Sequence, residues 1–192
     1  DHGNMHGALV FRQKAMDTGI RPIIGCEVYV APGLRTEKNA TSSRQAAYHL
    51  VLLAQNRVGY QNLIKLVSEG YLTGFHYKPR VDKELLRQHS EGLIALSACL
   101  AGEVNRTLLT KGLDSGISMA REYADIFPGR FYLELQENGI PEQTRANEML
   151  LEVMKETGLP PVATNHCHYL TKDDAEAHDI LLCIGTQRTV LD

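Results

Sequence analysis

At 192 residues the chain has the length of one domain and enough side chains for a substantial core, which excludes a small disulfide-stapled fold. Apolar residues at 43% and charged residues at 22% exclude intrinsic disorder and low-complexity sequence. Lys and Arg total 20 against 23 Asp and Glu, and the resulting net charge of −3 excludes a nucleic-acid module that works by bulk electrostatics alone. Cys26, Cys99, Cys167 and Cys183 form no CxxC pair and read as the reduced thiols of a cytoplasmic protein. No apolar run reaches the roughly 18–20 residues of a membrane span and no signal peptide is present, so no membrane partner is expected. Asp1-His2-Gly3 without an initiator Met, and an end at Leu191-Asp192 just after a helical pattern, point to a piece of a longer chain.

In chain order, apolar positions Ala8, Leu9, Phe11, Ala15 and Met16 predict a helix over 7–18, stopped by Gly19. The β-branched run 20–30 predicts a buried strand, the polar stretch 32–47 an exposed loop, and 49–54 a second strand. A helix is expected over 60–68 and ends at Gly70; Asp82 is a good N-cap for a helix over 83–89. A strand at 92–97 precedes helices over 102–111 and 114–126, then a strand over 131–136. Pro141 opens a helix that runs to Thr157 and stops at Gly158. A short strand at 162–164 leads to Asn165-His166-Cys167-His168, and 171–174 caps a last helix.

Strands alternating with helices at this spacing predict parallel βαβ units with right-handed crossovers, in an α/β barrel or an open sheet. Chemistry in such folds collects at the carboxyl ends of the strands. Glu27, Cys99, His166 and His168 fall late in or just after strands; His49, at the start of its strand, fits this rule less well. No internal repeat and no linker divides the chain.

Singly, these residues have plain structural readings: His49 as a hydrogen-bonded core histidine, Cys99 as a small buried hydrophobe, Glu27 as a solvated carboxylate. His166 and His168, two apart in an extended segment, point the same way. Together His2, Glu27, His49, Cys99, His166 and His168 are a ligand inventory for zinc or manganese, and the thiol favours zinc. Several such metals at one sheet end suit hydrolytic attack on a phosphoester. No Walker or dinucleotide glycine loop and no G-x-S-x-G elbow competes with that reading. Lys78-Pro79-Arg80, after Phe75 and Tyr77, is the one compact basic and aromatic patch; it reads equally as a solvated loop or as a phosphate-backbone contact, with Lys78 and Arg80 the candidate phosphate or DNA contacts.

Asp1-His2-Gly3-Asn4-Met5-His6-Gly7-Ala8, Gly25-Cys26-Glu27, Tyr48-His49-Leu50, Tyr77-Lys78-Pro79-Arg80, Gly92-Leu93-Ile94, Cys99 and Ala163-Thr164-Asn165-His166-Cys167-His168-Tyr169 occur in this order. The set resembles the N-terminal PHP (polymerase and histidinol phosphatase) domain of bacterial DNA polymerase III alpha subunits, over essentially the whole chain. The resemblance implies a distorted (β/α)7, TIM-like barrel with up to three divalent metals, zinc and/or manganese, at one end. It implies metal-dependent 3′–5′ exonuclease activity on a DNA primer end, holoenzyme subunits as partners, and a bacterial cytoplasmic setting. Carried over, His2, Glu27, His49, Cys99 and His168 fall on ligand positions, with Glu27, His166 and His168 the catalytic candidates. Asp1 and Asn165 become supporting neighbours of the ligands.

Two departures accompany the resemblance. The family usually has Asn-Asp-x-His where this chain has Asn165-His166-Cys167-His168, so an imidazole replaces a carboxylate that would bring negative charge. The family's first His-x-His motif and the opening barrel strands are expected upstream of Asp1. The polymerase palm, with the aspartates and magnesium of nucleotidyl transfer, is expected downstream of Asp192, so these residues alone should incorporate no nucleotides. Two alternatives stand beside the nuclease: a catalytically silent structural module that braces the polymerase and binds a proofreading partner, and a stand-alone phosphoesterase acting on a small phosphate ester.

Overall fold

The computed structural model describes residues 1–191. Six strands form one sheet: β1 Gly25–Val30, β2 Tyr48–Ala54, β3 Arg80–Val81, β4 Leu93–Leu96, β5 Phe131–Gln136 and β6 Pro161–Thr164, in the order β3-β1-β2-β4-β5-β6. The helices are α1 Ala8–Asp17, α2 Ser43–Ala46, α3 Arg57–Leu72, α4 Lys83–Gln88, α5 Glu103–Lys111, α6 Leu113–Ile126, α7 Pro141–Thr157 and α8 Ala175–Thr186. This is the α/β class expected, as an open six-stranded sheet; the described strands do not close a barrel.

Local chemistry sets most boundaries. Asp82 accepts from Leu85 N–H at 2.9 Å and starts α4. Pro141 occupies the first turn of α7, and Gly158, at φ +71°, ends it in the left-handed conformation. Thr171 and Asp174 form the reciprocal capping box ahead of α8. Three elements differ from the sequence reading. The strand expected over 20–30 begins only at Gly25, after Pro22; α3 extends from its Asn56 cap through Gly70 to Leu72; and α2 interrupts the loop at 32–47.

The sheet is mixed, which corrects the all-parallel expectation. Strand β2 runs antiparallel to both β1 and β4, while β1–β3, β4–β5 and β5–β6 are parallel. A parallel partner needs a crossover of a dozen or more residues, usually a helix, and the β1–β2 connection holds only the one-turn α2. The chain therefore turns back at the carboxyl end of β1 and enters β2 there.

Strand alternation then sorts the side chains. Cys26, Val28 and Val30 of β1, Leu50 and Leu52 of β2, Leu93 and Ala95 of β4, and Phe131 and Leu133 of β5 enter one core with Leu63, Leu66, Leu108, Tyr123 and Leu150 of the helices. The opposite parity, including Glu27, Tyr29 and His49, faces away from that core. Helix α1 buries only Ala15, α8 buries no residue, and Leu9, Phe11, Leu181 and Ile184 are exposed.

Candidate active site

Because β2 is antiparallel, its first residues lie at the same sheet end as the last residues of β1, β4 and β5, which is why His49 belongs with the strand-end residues. Tyr29 pairs with His49 and Glu27 with Val51, so Glu27 and His49 are diagonal neighbours on the open face. Residues 1–3 run alongside β1: Glu27 N–H donates to Asp1 O at 3.0 Å and Gly3 N–H to Glu27 O at 2.7 Å. That ladder sets His2 beside Glu27. Gly3 is at φ +69°, and a Cβ there would meet the Tyr29 ring at 2.6 Å, so this close approach requires glycine.

Cys99 enters from the loop after β4. The residue before it, Ala98, is held at φ +62°, an uncommon conformation for a residue with a side chain. Asn105 of α5 fixes this loop by donating Nδ2 to Cys99 O at 3.0 Å, and His49 N–H donates to Ala101 O at 3.1 Å. His166 and His168 follow β6.

The six candidates form one continuous run. Glu27 Oε1 lies 2.9 Å from His2 Nδ1 and 3.2 Å from His49 Nδ1, and Cys99 Sγ lies 3.7 Å from the same His49 nitrogen. The His2 ring stacks on that of His168 with centroids 5.5 Å apart, and Nε2 of His168 lies 3.0 Å from Nε2 of His166. All six line one cleft of about 870 Å³.

Charge follows from these contacts. Burial alone would push Glu27 up, but hydrogen bonds and attraction from His49 and His2 outweigh it and hold the carboxyl at about 2. Burial disfavours His49's charged form, yet Cys99 and Glu27 raise its pKa to about 9, so the metal-free pair is imidazolium and carboxylate. His168 is pushed below its ordinary value by burial and by His166, His2 and His178, which favours the neutral imidazole that ligates metals.

Imidazole, carboxylate and thiol donors fit a borderline-soft divalent cation in kind. Among the described residues no three His, Cys, Asp or Glu side chains converge as a ready-made cation site; the donors are turned on one another.

The supporting residues fall differently. The Asp1 carboxylate accepts from Gly7 N–H at 3.1 Å, so Asp1 positions His2 through its backbone ladder with β1. Asn165 is exposed and makes no side-chain hydrogen bond among the described residues. Lys78 lines the cleft with its Nζ 5.1 Å from the centre of the Tyr29 ring. Arg80 does not: it is 2% exposed, and its guanidinium donates to the carbonyls of Gly74, Ala46, Arg35 and Glu37. The basic tripeptide thus splits, with Arg80 a buried clasp for the 35–46 loop. Its phosphate role is corrected because its donors are committed to backbone.

Sequence reasoning missed Arg44, Arg106, Asn138 and Gln143 in the same cleft, and His178 of α8, whose ring centroid is 5.4 Å from that of His168. Nothing in a single sequence separates Arg44 from other surface arginines. The position of Gln143 on the inner side of α7 is legible only from the helix period.

Comparison with known proteins gives one consistent answer. Residues 1–138 match the family model described as PHP domain. The DNA polymerase III subunit alpha of Thermus aquaticus is 46% identical over 193 residues, covering all of this chain and 16% of the relative. The subunit of the same name from Borreliella burgdorferi is 44% identical over 97% of this chain and 16% of its own length. That from Deinococcus radiodurans is 44% identical over all of this chain and 15% of its own length. The chain therefore spans about 16% of the length of such relatives. No helix among the described residues is long and apolar enough to cross a membrane.

Proposed function

This chain belongs to the PHP domain family, and on that premise we propose that it supplies a metal-dependent phosphodiester-hydrolysing site to a DNA polymerase III alpha subunit, removing nucleotides from the 3′ end of DNA. The observation that carries the reading is the uninterrupted run from Cys99 through His49, Glu27, His2 and His168 to His166 in one cleft. The primer 3′ end is the substrate, and the other holoenzyme subunits are partners of the full-length protein.

His2, Glu27, His49, Cys99, His166 and His168 would hold zinc or manganese. A divalent cation bound there supplies Lewis-acid charge and a nucleophilic water at neutral pH. Glu27 brings the one carboxylate that lines the cleft among the described residues. His168, favoured in its neutral form, can ligate once it leaves its contact with His166, and His166 keeps the donor count where the family usually has a carboxylate.

A silent structural module is the second reading, and one observation favours it: the donors are paired with one another, and His166 contributes no negative charge. Glu27→Ala and His168→Ala in the full-length polymerase separate the two. Loss of chelator-sensitive 3′ nucleotide release at an unchanged Tm identifies a hydrolytic site. Retained release, or a lowered Tm as the only effect, identifies a structural one.

A further inference from the structure

We propose that Arg44, Arg106 and Lys78 form a subsite that holds the phosphodiester backbone of a single nucleic-acid strand beside the histidine run; the proposal rests on the hydrolytic reading of the same cleft. The chain carries a net charge of −3, yet these three cations face a cleft whose only acidic lining residue among the described residues is Glu27. Glu27 is already engaged by His2 and His49.

Four cations outside the cleft sit in ion pairs: Arg35 with Asp82, Lys83 with Glu103 and Glu122, Arg87 with Glu122, and Lys155 with Glu152. The cleft's cations lack such partners among the described residues. Arg44, exposed on α2, makes no side-chain hydrogen bond or ion pair. Arg106 spends Nη1 on the carbonyls of Arg44 and Ala47 and lies 4.7 Å over the Tyr48 ring, with its other donors uncommitted. Lys78 Nζ lies 5.1 Å from the centre of the Tyr29 ring and makes no ion pair among the described residues. Cations gathered at a concave site whose carboxylate is already engaged are the arrangement that takes phosphate oxygens.

A second observation places a group in need of a donor in the same cleft. Gln143 is buried in the lining of this cleft, and its Oε1 has no partner. The amide orientation is determined: Asn147 Nδ2 donates to Gln136 O, so Asn147 Oδ1 faces Gln143 and accepts from its Nε2 at 3.0 Å. The Gln143 carbonyl is therefore left needing a donor. A phosphodiester group has no donor to give, so in a bound strand that donor comes from a base N–H or from the hydroxyl of a 3′ end.

The test uses the full-length polymerase carrying Arg44→Gln with Lys78→Gln; Arg106 is left intact because it also fastens Arg44 and Ala47. Nucleotide release from a single-stranded oligodeoxynucleotide is followed across a salt series. The expected result is a several-fold higher KM, a smaller effect on kcat, and a salt slope of log(kcat/KM) shallower by about 1.4, at about 0.7 per cation on single strands. An unchanged KM and slope would overturn the proposal, as would inhibition of the wild type by inorganic phosphate as strong as that by a dinucleotide at equal concentration.

If the wild type releases no nucleotide, the hydrolytic reading has failed by itself, and the subsite is judged by photocrosslinking. An oligonucleotide ending in 4-thiothymidine should label peptides within 43–49 or 138–143 in the wild type and lose that label in the double variant. Labelling confined to other regions of the polymerase would overturn the subsite.

Discussion

Glu27 Oε1 lies 3.2 Å from Nδ1 of His49 although 21 residues separate them in sequence, because antiparallel pairing of β1 with β2 makes them diagonal neighbours on the open face of the sheet. Against the opposing effect of burial, His49 and His2 hold the carboxylate at about 2, and Cys99 and Glu27 hold the imidazole at about 9.

The pH dependence of that pair follows with opposite signs at its two ends. His49's contribution to stability is fully present below its ordinary value of 6.5 and is lost as pH rises through about 9. Glu27's is fully present above 4.5 and is lost as pH falls through about 2. In metal-free protein, NMR titration should find His49 still protonated at pH 7.5, and Glu27→Gln should bring its pKa down. Zinc added at pH 7.5 should then release a proton from His49, seen as a buffer-dependent binding enthalpy. A buffer-independent enthalpy would count against the pair.

Gly3→Ala tests how the backbone sets His2. At φ +69° the new methyl is strained and meets the Tyr29 ring. A cost of about 1–3 kcal/mol in unfolding free energy is expected, together with weaker metal binding as His2 shifts away from Glu27. Unaltered metal affinity would show that His2 is not positioned by this turn.

Arg80→Leu removes a buried cation that satisfies four carbonyls and should destabilise the protein by about 3 kcal/mol or more in denaturant unfolding. Arg80→Lys should recover little, since a single ammonium cannot reproduce the planar fork. Lys78→Gln should leave stability nearly unchanged, separating the two basic residues of the tripeptide.

Asp82 supplies an acid-sensitive joint. Burial alone would raise its carboxyl, but N–H groups of Arg35 and Leu85 and the Arg35 guanidinium hold it below the ordinary value of 3.8. Its contribution is present above that ordinary value and is lost as pH falls through the lowered one. Asp82→Asn should lower stability at pH 7 by about 1–2 kcal/mol and flatten the acid limb of the stability curve.

What was legible in the sequence was what local chemistry decides. The Asp82 cap, Pro141 and Gly158 around α7, and the Thr171–Asp174 box all act within a turn or two, so their signals sit beside the elements they bound. The direction of β2 is a tertiary choice, and misjudging it left His49 as the candidate that fitted least. Arg80 and Lys78 look alike in sequence, and only the fold of the 35–46 loop over Arg80 separates clasp from cleft residue. Arg44 and Gln143 needed the cleft itself before either had a meaning.

The most direct test of the hydrolytic reading is metal content measured together with 3′–5′ nucleotide release by the full-length polymerase on single-stranded and mismatched primer ends. The account predicts two or three bound divalent metals and release that stops with a chelator and returns with zinc or manganese. Metals bound without any release of 3′ nucleotides would contradict it, leaving the run from Cys99 to His166 as a scaffold.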